Sequence, residues 1–205
     1  MCKETYHILQ RLDFHKIETQ FALQCAPLFS GLKISNLFII RSEDCNYMKE
    51  ILKETGILYY FLTESENKVT LLLYKEKDLI QTLSRKEITE FFQRIGYLNG
   101  ELGYILSRFK KRYKQYMITG RDFPHEMGLL LGYPIEDVNG FIDNEGKNFL
   151  HSGYWKVYEN LPEKLHLFQR YEKAKKNVMQ LIFHGIEIRD IINSNGDTKL
   201  QQLAG

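Results

Sequence analysis

Ile57-Leu-Tyr-Tyr-Phe-Leu-Thr63 and Val69-Thr-Leu-Leu-Leu-Tyr74 flank the polar stretch Glu64-Ser-Glu-Asn-Lys68. Two aromatic and branched runs around a short polar turn predict a β-hairpin with a five-residue loop. Both strands are almost continuously apolar, so both faces should be covered, one of them by helices. Upstream, Leu37-Phe-Ile-Ile40 predicts a short buried strand. Between them, Ser42 or Asp44 is placed to cap a helix through Met48, Ile51 and Leu52, with Gly56 as its stop. Earlier still, Ile17, Phe21 and Ala22 predict a helix over His15–Cys25 that Pro27 and Gly31 should break.

Helices dominate downstream of the hairpin. Ser84-Arg-Lys-Glu87 has the form of a capping box, opening a helix through Ile88, Phe91, Phe92 and Ile95 that ends near Gly96. From about Asn99, the residues Leu102, Ile105, Leu106, Phe109, Tyr113, Tyr116 and Met117 keep a helical spacing. Asp122 stands before Phe-Pro-His-Glu and predicts an N-cap with Pro in the first turn, for a helix stopping at Gly132. Pro134 should open a further short helix through Val138, ended by Gly140. Ser152–Tyr158 reads as one alternating aromatic strand. Asn160-Leu-Pro-Glu163 predicts the cap of a last long helix. Its inner face holds Leu165, Phe168, Tyr171, Ala174, Val178, Leu181 and Ile182; Lys164, Arg170, Lys173, Lys175 and Lys176 should point outward. Gly185 interrupts it, and Ile186–Ile192 adds a short element.

The class expected is therefore α+β: a small antiparallel or mixed sheet of about four strands, covered by helices, with a helix-rich C-terminal half. Residues 1–192 should form a single domain, and 193–205 a polar, frayed tail.

Composition narrows the function classes. The 205 residues suit one domain, and 43% hydrophobic with 13% aromatic content excludes an intrinsically disordered chain. Thirteen Phe and 13 Tyr against a single Trp forecast an aromatic interior with many phenols to place. The 28 Lys+Arg against 26 Asp+Glu give a net charge of +2, which disfavours nucleic acid as a partner. Arg108-Phe-Lys-Lys-Arg-Tyr-Lys114 interleaves bases with aromatics as nucleic-acid surfaces do, but Phe109 and Tyr113 continue an apolar helix stripe. No apolar run approaches ~18 residues, and MCKETYHILQRLDFHK lacks a signal core, so no membrane partner is expected. Cys2, Cys25 and Cys45 are irregularly spaced, without a disulfide framework or metal knuckle. They read as reduced thiols of a cytoplasmic protein.

Candidate chemistry gathers at three places. Cys25 with the distant His125 has the form of a nucleophile and its base, with Asp137 or Asp143 to orient the imidazole. A helix opened by Asp122 would hold His125 in its first turn, where the positive helix end favours a neutral ring. The thiol is ambiguous: closing a helix would raise its pKa, and capping a new turn would lower it. Glu126 and Tyr133 at the Phe123–Val138 corner, with Tyr154, Trp155, Lys156 and Tyr158 on the aromatic strand, are candidate ligand-binding residues. Lys156 among tyrosines suits an anionic or aromatic ligand; the competing expectation is a Trp anchored in the core with Lys156 turned to water. His125-Glu126 does not complete H-E-x-x-H, because Leu129 holds the last position, so no metal site is expected. Gly128 should permit close helix packing, and Gly132 should end a helix. The reading is a ligand- or partner-binding domain for an unidentified small molecule or protein, with no particular cofactor implied. The alternatives are a Cys–His hydrolase or acyl transferase and a weak nucleic-acid binder through its basic helices.

Several segments also carry a resemblance. Cys25-Ala-Pro-Leu-Phe-Ser-Gly-Leu-Lys-Ile-Ser-Asn-Leu37 is similar to a C-A-P-x-x-x-G-x-K-x-x-x-L pattern. Phe123-Pro-His-Glu-Met-Gly-Leu-Leu-Leu-Gly-Tyr-Pro-Ile-Glu-Asp-Val138 is similar to F-P-H-E-I-G-x-x-L-G-Y-P-x-x-D-V. Gly140-Phe-Ile, Gly146-Lys-Asn148 and Gly153-Tyr-Trp-Lys-Val-Tyr158 follow in the same order. Together they resemble the bacterial family catalogued as domain of unknown function 3793, from about residue 15 to about residue 192. The resemblance brings no activity, substrate or catalytic residue, and implies a setting in redox or iron physiology. Its relatives often carry Cys just before the aromatic strand, where this chain has His151-Ser152. That departure argues against a thiol or iron–sulfur role at this position.

Overall fold

Val69–Tyr74 forms the middle of a sheet. A computed structural model of the chain describes residues 13 and 15–194. In it β1 (Ser35–Arg41), β2 (Leu58–Glu64) and β3 (Lys68–Tyr74) pair antiparallel in the order β1-β3-β2. The central place explains why β3 is apolar on both faces: Val69, Leu71 and Leu73 enter one core, Leu72 and Tyr74 the other. The edge strands are less covered. Phe38 and Ile40 of β1 are buried, but Ile39 between them is exposed, so β1 alternates instead of being buried throughout. The hairpin loop shortens to residues 65–67, closed by the Ser65 N–H on the Lys68 carbonyl, and the register shifts between Phe61 and Thr63.

One face of the sheet is covered by α1 (Ile17–Phe29), α2 (Cys45–Leu52), the end of α8 (Leu161–Phe183) and α9 (Ile188–Asn193). Phe21 sets its ring against Phe29 at 4.7 Å and Phe38 at 5.1 Å between centroids. Contrary to expectation, α1 runs through Pro27. Proline removes one helical N–H and crowds the preceding turn, but only Leu28 and Phe29 follow it before the helix ends. The Leu32 and Lys33 N–H groups then both close on the Pro27 carbonyl, and Gly31 takes φ +67°.

The other face carries α3 (Glu76–Leu83), α4 (Lys86–Arg94), α5 (Leu102–Thr119) and α6 (Glu126–Leu130). The capping box does not form: the Ser84 hydroxyl donates to the Ile80 carbonyl and closes α3, and α4 starts after the extended Arg85. The stripe of α5 ends at Tyr113, since Met117 is exposed. Asp122 is not the cap of α6 either. It has φ +57°, and the first turn is built by the Met127 N–H on the Pro124 carbonyl.

The next helix, α7 (Ile135–Asp143), continues through Gly140 instead of stopping there. A Cβ at Gly140 would stand 2.5 Å from Cγ of Tyr158, so this glycine allows a close approach and does not end the helix. Gly128 acts in the same way toward Val138, at 2.8 Å. The aromatic segment is not one strand but a ribbon, β4 (His151–Ser152) and β5 (Lys156–Val157), turned at Gly153-Tyr-Trp155. Lys164, expected outside, is buried at the start of α8 and pairs with Glu136 of α7 at 2.8 Å. The frayed tail expected from residue 193 falls almost wholly outside the described residues, as do Cys2 and His7.

Candidate functional site

Asp137 joins α7 to the ribbon. Its side chain is 2% exposed. Oδ2 accepts the Trp155 Nε1–H at 2.6 Å, and Oδ1 accepts the backbone N–H groups of Tyr158 at 2.7 Å and Glu159 at 3.2 Å. The indole is thereby fixed over Tyr133, whose ring stacks on it with centroids 4.9 Å apart. Phe168 of α8 closes the other side, edge-on at 4.6 Å. Asp137 therefore orients Trp155 and the ribbon, and makes no hydrogen bond to His125.

Between the corner and the ribbon lies a cavity of about 250 Å³, lined by Phe123, His125, Met127, Gly128, Tyr133, Asp137, Val138, Phe141, Trp155 and Lys156. Half of the lining residues carry rings, and Phe123 and Phe141 lie 5.2 and 5.8 Å from His125. The His125 ring has no hydrogen-bond partner among the described residues, and burial holds its pKa below the ordinary imidazole value, outweighing the pull of Glu126. It is thus a neutral ring, able to donate from one nitrogen and accept at the other. Lys156 donates to the Gly146 carbonyl at 2.6 Å and lies over Phe149 at 4.9 Å and Phe141 at 5.6 Å. The arrangement can stack a planar ring, hydrogen-bond it once and meet a negative charge at Lys156.

The structure gathers His125, Tyr133, Asp137, Trp155 and Lys156 at this cavity and leaves the other candidates elsewhere. Glu126 points away into a separate cavity, where Arg112 Nε and the Tyr97 hydroxyl donate to it at 2.6 and 2.9 Å. Tyr154 turns to α8, donating to Glu172 at 2.6 Å under Lys175, and burial with that carboxylate raises its phenol pKa. Tyr158 lines a groove beside α4. Phe123, Met127 and Phe141 join the wall without a motif of their own, although aromatic residues flank the corner in the sequence.

The expected Cys25–His125 pair is not formed. Cys25 is fully enclosed in the first core, away from the cavity wall, and accepts a hydrogen bond from the Asn36 amide at 3.3 Å. Burial pushes its thiol up to about 12, against the smaller pull of Asn36 and Lys33. A thiol so raised holds about a thousandfold less thiolate near neutrality than an ordinary one. Alkylation with iodoacetamide at pH 8, followed by peptide mapping, should modify the partly exposed Cys45 and leave Cys25 untouched until denaturant is added. Rapid native alkylation of Cys25 would overturn this placement. No group of three or more His, Cys, Asp or Glu among the described residues is arranged to hold a metal ion. Nor is any described helix long and apolar enough to cross a membrane.

Fold and site define an α+β protein with an aromatic cavity between its short helical corner and a two-strand ribbon. Residues 21–192 match the family described as protein of unknown function (DUF3793), and the chain belongs to that family. No curated protein and no solved structure matches it.

Proposed function

We propose that this protein binds a small planar aromatic molecule carrying a negative charge, in the cavity between the corner and the ribbon. One observation carries the reading: Phe123, His125, Tyr133, Phe141 and Trp155 surround one space, with Lys156 also in its lining. Apolar walls with a few convergent polar groups are the usual make-up of a ligand site. The volume, about 250 Å³, lies just below the usual range for ligand sites and suits a compound of one or two fused rings. Lys156 supplies the charge preference, and the neutral His125 a single directional hydrogen bond. A planar redox-active heterocycle falls within this class, in keeping with the setting that the family resemblance implies. The free thiols of Cys25 and Cys45 support a cytoplasmic location.

Trp155 is the only Trp in the chain and lines the cavity, so its emission reports occupancy. Titration with 2-naphthalenesulfonate should change that emission saturably, with matching heat in calorimetry. Lys156→Ala should weaken binding about tenfold, as loss of a charge-assisted contact does. Neutral 2-naphthol should bind both forms alike. The absence of a saturable response to either compound would defeat the proposal.

A further inference from the structure

The Cys25–Leu37 segment, whose pattern stands out in the sequence, contributes nothing to the aromatic cavity, yet it holds a connected set of side chains. Asn36 is the hub. Its Nδ2 faces three acceptors: the Gln24 carbonyl at 3.1 Å, the Leu37 carbonyl at 3.0 Å and Cys25 Sγ at 3.3 Å. Those contacts fix the amide, so Oδ1 points the other way and accepts from Lys33 Nζ at 2.8 Å. The backbone beneath is held as well. The Lys33 N–H closes on the Pro27 carbonyl at 3.0 Å, and the Tyr171 hydroxyl donates to the Leu32 carbonyl at 3.4 Å. Lys33 is thus a positioned amine and not a loose surface lysine.

Its surroundings disfavour a charge. The side chain is partly buried, and no carboxylate pairs with it among the described residues. The charged group that acts on it from α8 is another ammonium, Lys175, which itself pairs with Glu172 at 3.3 Å. Cys25, with its raised pKa, supplies no thiolate near neutrality. The Tyr133 ring favours the ammonium, but at 5.8 Å it lies at the limit of useful range. Burial therefore dominates and brings the Lys33 pKa down to about 8, with Lys175 pushing the same way. Near neutrality such a lysine holds about three-hundredfold more free amine than an ordinary one.

A free amine is a nucleophile, and its neighbours select the electrophile. An aldehyde would convert the nitrogen to an imine without an N–H and strand Asn36 Oδ1. Acyl transfer would keep one N–H but leave an uncharged amide beside Lys175. Carbon dioxide does neither, and it needs no pocket of its own. We infer that Lys33 is a carbon dioxide site, carried as a lysine carbamate. The nitrogen lone pair forms the N–C bond, one C=O π pair moves onto oxygen, and the nitrogen gives up one proton to water. The carbamate donates its remaining N–H to Asn36 Oδ1 and turns its negative oxygens toward Lys175. Nothing is oxidised or reduced. The inference does not use the aromatic cavity and stands or falls apart from it.

Chemical trapping on the whole chain tests it. In bicarbonate buffer near neutral pH, triethyloxonium ion converts carbamates to stable ethyl carbamates, which peptide mapping by mass spectrometry locates. Lys33 should carry the label at least about tenfold above the average of the other lysines, because so much more of it is free amine. The chain's α-amine, with an ordinary pKa of about 8, serves as the internal reference. In urea the excess at Lys33 should vanish, since an exposed lysine returns to its ordinary pKa. Lys175→Gln, with Trp155 emission unchanged to confirm folding, should lower the label at Lys33 about threefold, as loss of a partly exposed ion pair does. Lys33→Arg keeps the cation and should leave that peptide unlabelled. Label at Lys33 no higher than at the other lysines overturns the inference. An equal label in urea, or an undiminished one in Lys175→Gln, does so as well.

Discussion

Asp137→Ala should lower the stability of the folded chain by about 3 kcal/mol or more, since it strands three donors at once. The Trp155 indole and the Tyr158 and Glu159 amides all spend their protons on this carboxylate. A buried donor left without an acceptor costs about 1–3 kcal/mol, and water entering a relaxed ribbon recovers part of the total. Asp137→Asn keeps the volume and one acceptor oxygen but turns an NH2 toward at least one donor, so about half the loss is expected. Urea unfolding followed by Trp155 emission measures both, and a native-state red shift in Asp137→Ala would show that the indole has lost its seat. Stability within about 0.5 kcal/mol of the unaltered chain would mean that Asp137 does not hold the ribbon.

That role also shows what kind of information the sequence carries. Asp137 stood out at the corner, but its expected task was to orient His125, and its actual partners lie on a ribbon about twenty positions away in the chain. Patterns of local origin translated well. The apolar runs around residues 57–74 became the hairpin, and Gly128 allows the packing expected of it. Errors arose where one local pattern serves two physical purposes. Gly140 has the look of a helix stop, and only the Tyr158 ring shows why the helix must pass through it without a side chain. Ser84-Arg-Lys-Glu87 has the spacing of a capping box, yet Ser84 finds a nearer acceptor at the end of a short helix that buries only Leu79 and Leu83. Periodicity turns Lys164 toward solvent, but Glu136 offers it an ion pair inside. In sequence, Cys25 has the form of a nucleophile because a lone thiol and a distant His share the pattern of Cys hydrolases. Its burial depends on Phe21, Phe38 and Asn36 converging from two elements, a long-range fact with no local signature. The cavity itself is of the same kind, since Phe141 meets Phe123 and His125 only once α7 folds back across α6.

Phe168→Ala is expected to be comparably severe, at about 3–5 kcal/mol, the usual range for removing a buried phenylalanine ring. The ring is 7% exposed and meets Trp155, Tyr154 and Tyr171 with centroids 4.6, 5.4 and 6.5 Å away. It also fills the space over Gly153, where a Cβ would come within 2.5 Å of it. These contacts make α8 the support behind the ribbon, so the substitution removes backing from the wall that the cavity shares with Trp155. Two readouts should therefore move together. Urea unfolding should show the loss of stability, and the variant, kept at a temperature where it is still folded, should bind 2-naphthalenesulfonate more weakly. Phe168→Leu keeps apolar volume without the aromatic edge, so it should lose less than about half as much stability. If Phe168→Ala lost the predicted stability but bound the probe as the unaltered chain does, Asp137 and Tyr133 alone would be sufficient to seat Trp155. The long helix would then serve the core and not the cavity.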